Sequence, residues 1–416
     1  MLLLVAVCVI DFAPTATGTP SPTPTCTPGG TPGPWTPATP VAIDHYGGFM
    51  DSNGTVAYEG GGYRFLVDNV NQFGRFDPIA NTWTPLAPVP DLNNAMASGV
   101  YAPNVNKLFV FGGERVPTAT VVNTTRIYDI GTNTWSTGAN MPDVRAFMAS
   151  GYYNGKIYLV GGYSTGSITL AFLQTWEYDP VADTFVTKTS IPAPAGFGGA
   201  GSGVVNGHLY VAGGRDSNNT ILASLWDYNI ATDTWTQRAN LPTGINVPGS
   251  AVIAGKLWVF GGGDPFANGS PAAPASPKQG LRGWLTRLFR PDTTNILQVY
   301  DAVTDTWSSG PSLNQQRSFP AGTGVGNTAV AVGGFTEYYP YTTTSVEINV
   351  TSGGCANPTP TATPTATATA TFTPTPMPTA APTGTPTSTA TLTPTPTSTP
   401  RPSPSPRSRP TPVPRP

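Results

Sequence analysis

Short apolar runs recur through the middle of the chain, each ending in a double glycine. They read VAYEGG at Gly60–Gly61, LFVFGG at Gly112–Gly113, IYLVGG at Gly161–Gly162, LYVAGG at Gly213–Gly214, LWVFGG at Gly261–Gly262 and VAVGG at Gly333–Gly334. The spacing stays near 50 residues through the first five and widens to 72 before the last. Runs this short, rich in Val, Phe, Tyr and Ile, predict strands, and an unbroken apolar run predicts a strand covered on both faces. Most are preceded by a second apolar stretch and a turn, as in GYYNGK, GVVNGH and AVIAGK. The NG and AG pairs supply the positive-φ positions of a tight hairpin.

About 15 residues downstream of each double glycine comes an aromatic–Asp or Tyr-Asn pair and then a Trp or Phe. The copies are RFDPIANTW (Trp83), IYDIGTNTW (Trp135), EYDPVADTF (Phe185), DYNIATDTW (Trp235) and VYDAVTDTW (Trp307). Each period therefore predicts four short antiparallel strands in a meander. One such sheet alone exposes both faces, and packing several radially buries them, which is the β-propeller arrangement.

The double glycine, the spaced Tyr-Asp and the following Trp resemble kelch repeats over most of residues 33–355, in five good copies and one partial copy. The resemblance implies an all-β, six-bladed propeller of four-stranded antiparallel blades. It says little of function, because kelch propellers serve binding proteins and enzymes alike. After Gly334, TSVEINV supplies a third strand, with Ile348–Asn349 in the place of Tyr-Asp, but no fourth strand follows. PWTPATPVA, from Pro34, matches TWTPLAPVP of the first repeat. The N-terminal strand beginning at Trp35 is thus expected to complete the last blade and so remove a free sheet edge.

The flanks differ in kind. Residues 13–32 and 356–416 are Thr/Pro-rich and almost free of large apolar side chains, a composition expected to remain disordered, partly as polyproline-II spacer. Residues 1–12, MLLLVAVCVIDF, carry an apolar run too short to span a bilayer and suited to a truncated signal segment. The expectation is export, to the medium or the cell surface. In an exported chain, Cys26 and Cys355 flank the cut in the last blade and are candidates for a disulfide; two unpaired linker cysteines are the alternative.

Net charge is −2, which argues against nucleic-acid binding. Four arginines in the tail (Arg401, Arg407, Arg409, Arg415) and no acid there leave room for cell-envelope contact. The repeated Asp77, Asp129, Asp179 and Asp301, with Asn81, Asn133, Asp183 and Asp305, read as turn formers rather than metal ligands. The chain has two histidines, His45 and His208, and no phosphate loop, nucleophile elbow or metal-ligand spacing. No cofactor and no metal are expected.

Counting back 17 residues from the second glycine of each pair, and aligning the longer second hairpin on its strand, selects Asp44, Asn93, Arg145, Phe197, Ile245 and Arg317. The kelch resemblance implies that an arginine here faces the mouth of the ring and contacts ligands, so Arg145 and Arg317 are candidates, with Asp44, Asn93 and Phe197 beside them. Two guanidiniums near one mouth suit carboxylates. The opposing reading is that each arginine caps the loops of its own blade. The fifth repeat also holds an insertion over 264–294, in which Leu281, Trp284, Leu285, Leu288 and Phe289 share a helical face and Arg282, Arg287 and Arg290 lie elsewhere. It is expected on the same rim, with Trp284 and Arg287 as candidate contacts.

These features favour a non-catalytic module, expected to be monomeric, that recognises a protein or glycan through the mouth and the insertion. A carbohydrate-active enzyme (a sialic-acid isomerase-like protein or a hydrolase) and a structural envelope or adhesion component are the competing classes.

Overall fold

In the computed structural model, residues 31–164, 170–264, 292–337 and 341–351 are described. Most of the insertion, with Trp284 and Arg287, falls outside them, as do Cys26, Cys355 and the Thr/Pro-rich flanks.

Six four-stranded antiparallel sheets form the blades. Blade one runs Phe49–Ser52, Ala57–Gly60, Phe73–Asp77 and Thr82–Pro85 from the axis outward. Blade two follows as Ser98–Ala102, Lys107–Phe111, Thr125–Asp129 and Thr134–Thr137, and blades three to five repeat the order. Among the described residues the helical element is one 3-10 turn, Val116–Thr118.

Blade six is made from both ends of the domain. Trp35–Ala38 pairs antiparallel with Val346–Val350, Trp35 opposite Asn349 and Ala38 opposite Val346. Trp35 is buried and its ring lies 5.1 Å from Phe260 of blade five. Register places Asn349 across from Trp35 just as Tyr128 faces Trp135. The Tyr-Asp place of blade six is therefore held by Asn349–Val350, one residue later than the sequence suggests. Asn349 Nδ2 donates to the carbonyl of Gly33, so the two sides of the cut touch.

Why the second strands are apolar throughout now has a cause. They sit mid-blade with neighbouring blades on both faces: in KLFVF and KLWVF every residue after the lysine is buried. Six apolar clusters lie between consecutive blades around the circle. Outer strands are wet apart from their aromatic, as in TWST.

In blades one, two, four and five an Asx and a Trp lock the blade to the previous one. Blade three, with Phe185, uses Asp183 alone, and the Trp35 Nε1 of blade six has no partner among the described residues. Asn133 Oδ1 accepts from its own blade's Tyr128 hydroxyl at 2.8 Å and from the Ala87 N–H of blade one at 2.9 Å. Trp135 Nε1 donates to the carbonyl of that same Ala87 at 2.8 Å. The pattern recurs with Asp233 and Trp235 on Thr189, and with Asp305 and Trp307 on Ala239. These Asx residues have positive φ, 55° at Asn133 and 54° at Asp233, a conformation Asn and Asp tolerate better than most residues. The first Asp of the motif serves its own turn, Asp179 Oδ1 accepting from the N–H groups of Val181 and Ala182.

Candidate functional site: the ring mouth

The loops that lead into the innermost strands meet at the axis and close a backbone annulus. Gly47 N–H donates to Phe319 O, Phe319 to Val247, Val247 to Gly199, Gly199 to Phe147, Phe147 to Met96, and Met96 back to Gly47, at 2.7–3.1 Å. Each blade gives one residue, and all six are left-handed, from φ 48° at Val247 to 69° at Gly199. A non-glycine residue in that region costs about 1–2 kcal/mol. Met96, Phe147, Val247 and Phe319 hold it because the closed circle fixes both the donor and the acceptor of each.

The double glycines place these loops. Gly113 N–H donates to Arg145 O at 2.9 Å, Gly162 to Phe197 O and Gly262 to Arg317 O at 2.8 Å. A Cβ on Gly112 would stand 2.0 Å from Arg145 O, so only glycine lets the loop approach. In blade one the bond from Gly61 N–H to Gln72 O matches that from Gly112 to Thr124, so the equivalent pair is Gly61–Gly62. The residue two before the annulus is accordingly His45 in blade one and Asn94 in blade two, one later than Asp44 and Asn93.

The side chains at this set of positions are buried, in their own blades or between neighbouring blades. Arg317 is fully buried, donating to Gly333 O and Ser345 O at 3.0 Å and pairing with the buried Glu347. Arg145 is 1% exposed; it bonds Val144 O and Asp143 at 2.8 Å, and its guanidinium lies 3.5 Å from the centre of the Phe172 ring. Burial lowers both guanidiniums from their ordinary range, opposed by Glu347 and Asp143. Phe197 and Ile245 are packed in inter-blade cores. His45 Nε2 meets Glu59 at 2.6 Å, both buried. Burial disfavours charge on that imidazole, but Glu59 outweighs it and raises the pKa above the usual value. Asn94 Nδ2 donates to Val70 O and Asp91 O.

Asp44 and Asn93 sit one residue outside this set. Asp44 pairs with the half-exposed Arg64 at 2.9 Å and accepts from Thr342 Oγ1. Asn93 offers its carbonyl to Arg126, whose guanidinium pairs with Asp91 at 2.6 Å. The structure thus spreads the sequence candidates around the ring as loop braces and does not gather them in one cluster.

What the structure does gather is apolar. Tyr46, Met96, Phe147, Val247 and Phe319 form a cluster over the annulus with Tyr63, Phe65, Phe335 and Tyr341. The Tyr46 ring lies 5.1 Å from Phe319, 5.3 Å from Phe335 and 5.5 Å from Tyr63. Two-stranded ribbons rise on this rim, Tyr63–Arg64 with Asp68–Asn69 and Glu114–Arg115 with Thr120–Val121. An Arg115–Asp68 ion pair at 2.7 Å joins them. Gly263–Asp264 with Asp292–Thr293 forms the stem of the insertion, and the Asn246–Gly263 bridge puts it on the same rim. At the tip of the first ribbon Leu66 and Val67 are 52% and 63% exposed. Among the described residues no group of three His, Cys, Asp or Glu side chains stands ready to hold a metal. The aromatic cluster had no signal in the repeat, because Tyr46, Phe65 and Tyr341 each occur in a single blade.

Comparison with known proteins agrees with this architecture. The KLHDC2/KLHL20/DRC7 Kelch-repeats domain matches residues 50–262. The chain is 27% identical over 258 residues to Kelch-like protein terF of Aspergillus terreus, covering 59% of this chain and 50% of that one. It is 39% identical over 110 residues to Kelch-like ECH-associated protein 1A of Danio rerio, covering 26% and 17%. It therefore spans half or less of the length of these curated relatives. Among solved structures, YjhT superposes with a TM-score of 0.60 at 16% identity, covering 74% of this chain and 95% of that one, a likeness of fold. With a kelch model over half of its length and a closed ring of six such blades, the chain belongs to the kelch-repeat family.

Proposed function

We propose that this propeller is a protein-recognition module whose contact surface is the rim around the annulus, centred on the ribbons of blades one and two. The observation that carries the reading is the exposed Leu66–Val67 tip beside the aromatic cluster. Leu66 is left-handed, φ 59°, and its N–H is fixed by the Tyr63 hydroxyl at 3.2 Å. A bulky apolar residue held in that conformation and presented to water gains nothing for the fold, whereas contiguous exposed apolar surface suits a protein partner. Glycan binding is the finer alternative, and exposed aliphatic side chains favour it less. Arg145 and Arg317 serve recognition by holding the loops rather than by touching the partner.

Export is part of the proposal. It rests on the apolar run of residues 1–12 and the Thr/Pro-rich flanks, whose roughly 3.1 Å per residue in polyproline II would hold the ring away from an envelope. The rim is tested by comparing immobilised wild type with Leu66→Asp/Val67→Asp and with Ile79→Asp, which alters an exposed residue on the turn between third and outer strands. A partner retained from the source cells by wild type and Ile79→Asp but lost from the double variant supports the reading. Equal retention by all three contradicts it.

A further inference from the structure

Glu114 is 7% exposed. The other buried acids are all engaged: Glu59 with His45, Asp227 with Arg238 and His208, Glu347 with Arg317, and Asp216 with the N–H groups of Asn218 and Thr220. The Glu114 carboxylate has neither a cation nor a hydrogen-bond donor among the described residues. Its backbone is satisfied, exchanging both bonds with Ala95. Its neighbour Arg115 points the other way, to Asp68, as alternation along a strand requires.

Where the side chain faces follows from register. Glu114 stands directly across from Val121, and cross-strand partners share a face. Val121 packs in the cluster over the annulus, so Glu114 faces the mouth. There its charge reaches the Tyr46 phenol, which burial, with Tyr63 and Glu114 adding, raises far above its usual range. On the loops of the annulus, buried side-chain atoms without a partner among the described residues comprise the acceptors Asn94 Oδ1 and Asn246 Oδ1, the hydroxyl Ser318 Oγ, and the donors Arg145 Nε and Arg317 Nε. The two asparagines ask for a donor and the two arginines for an acceptor, so these atoms do not choose between a cation and an anion. Arg215, which holds in blade four the place of Glu114 in blade two, bonds Asn219 Oδ1. The charge left at the mouth without a counter-ion among the described residues is the Glu114 carboxylate.

We propose that the mouth takes a cationic side chain, lysine or arginine, from the protein partner, with Glu114 as its counter-ion and the aromatic cluster as its wall. An ammonium brings three donors and a guanidinium five, with no acceptor, and a cation gains further over aromatic faces. The inference rests on the rim being the recognition surface and adds the chemistry of what it recognises. It also differs from the carboxylate preference that two mouth-facing arginines would have given.

The test pans a random peptide library displayed on phage against the full chain at pH 8, beside Glu114→Gln shown by its melting curve to be folded. Wild type is expected to enrich peptides with a fixed Lys or Arg, and the variant to lose that position. In the best peptide, replacing the basic residue by citrulline or glutamine should weaken binding to wild type at least tenfold, a measurement that needs no variant. Peptides without a basic position, or tolerance of citrulline, overturn the cationic site and leave protein recognition standing. No enrichment by the folded wild type overturns both.

Discussion

The indole Nε1 of Trp83 donates to the main-chain carbonyl of Thr39 at 2.9 Å, and Asn81 Oδ1 accepts from the Thr39 N–H at 2.7 Å. Thr39 follows the strand that completes blade six, whereas Trp83 and Asn81 belong to blade one. The N-terminal strand is therefore held twice, by its own sheet and by the next blade's clasp. Deleting residues 1–41 should lower the melting temperature strongly, and deleting 1–30 should leave it unchanged. Trp35→Ala alone is expected to cost about 3–5 kcal/mol by denaturant titration.

The clasp itself can be tested at Asp183, which accepts from Tyr178 OH and from Ala139 N–H, each at 2.7 Å. Asp183→Ala should destabilise by about 1–3 kcal/mol, because it strands two donors and places alanine at φ 54°. Asp183→Asn should cost less, since Asn does this work at Asn133. Equal losses from both would remove the hydrogen bonds from the account.

Arg317 and Glu347 form a buried pair. Removing one partner leaves an uncompensated charge, so Arg317→Met should cost about 3–5 kcal/mol. The double variant Arg317→Met/Glu347→Leu should recover much of that. A double variant as unstable as the single would mean that the guanidinium's bonds to Gly333 and Ser345 carbonyls matter more than its charge.

Burial pushes the Glu114 carboxyl from 4.5 up to about 7. The folded state then binds this proton more tightly than the unfolded state, so its contribution is fully present below pH 4.5 and is lost as pH rises through 7. The sign is a fall in stability over that window, about 3 kcal/mol at pH 8. Asp51, raised by burial to about 6, acts in the same direction at lower pH. Glu114→Gln should therefore be more stable than wild type at pH 8 and similar at pH 4. Parallel stability curves for the two proteins across pH 4–8 would place Glu114 in water.

Much of this was readable from the sequence, and where reading failed the causes are local. Blade number, strand order and closure by Trp35 follow from spacing and from the missing outer strand, because each repeat must bury two faces. The slip from His45 to Asp44 arose at Gly60–Gly62, three glycines in a row, where only the bond from Gly61 to Gln72 shows which two form the pair. The arginines' partners were hidden for another reason: Glu347 lies 30 residues from Arg317, on a strand where other blades carry Trp176 or Gln298. The annulus is made of main-chain bonds among Gly, Met, Phe and Val, so no residue pattern announces it. Glu114 is conspicuous only once its neighbours are known to lack a cation.

The most direct measurement of the central claim is site-specific photocrosslinking in the source cells, with a photoreactive phenylalanine analogue at position 66 or 121 on the annulus rim and at 79 or 303 in the turns between third and outer strands. The account predicts a discrete protein adduct from 66 and 121 and none from 79 and 303. Adducts from 79 or 303, with 66 and 121 silent, would contradict it.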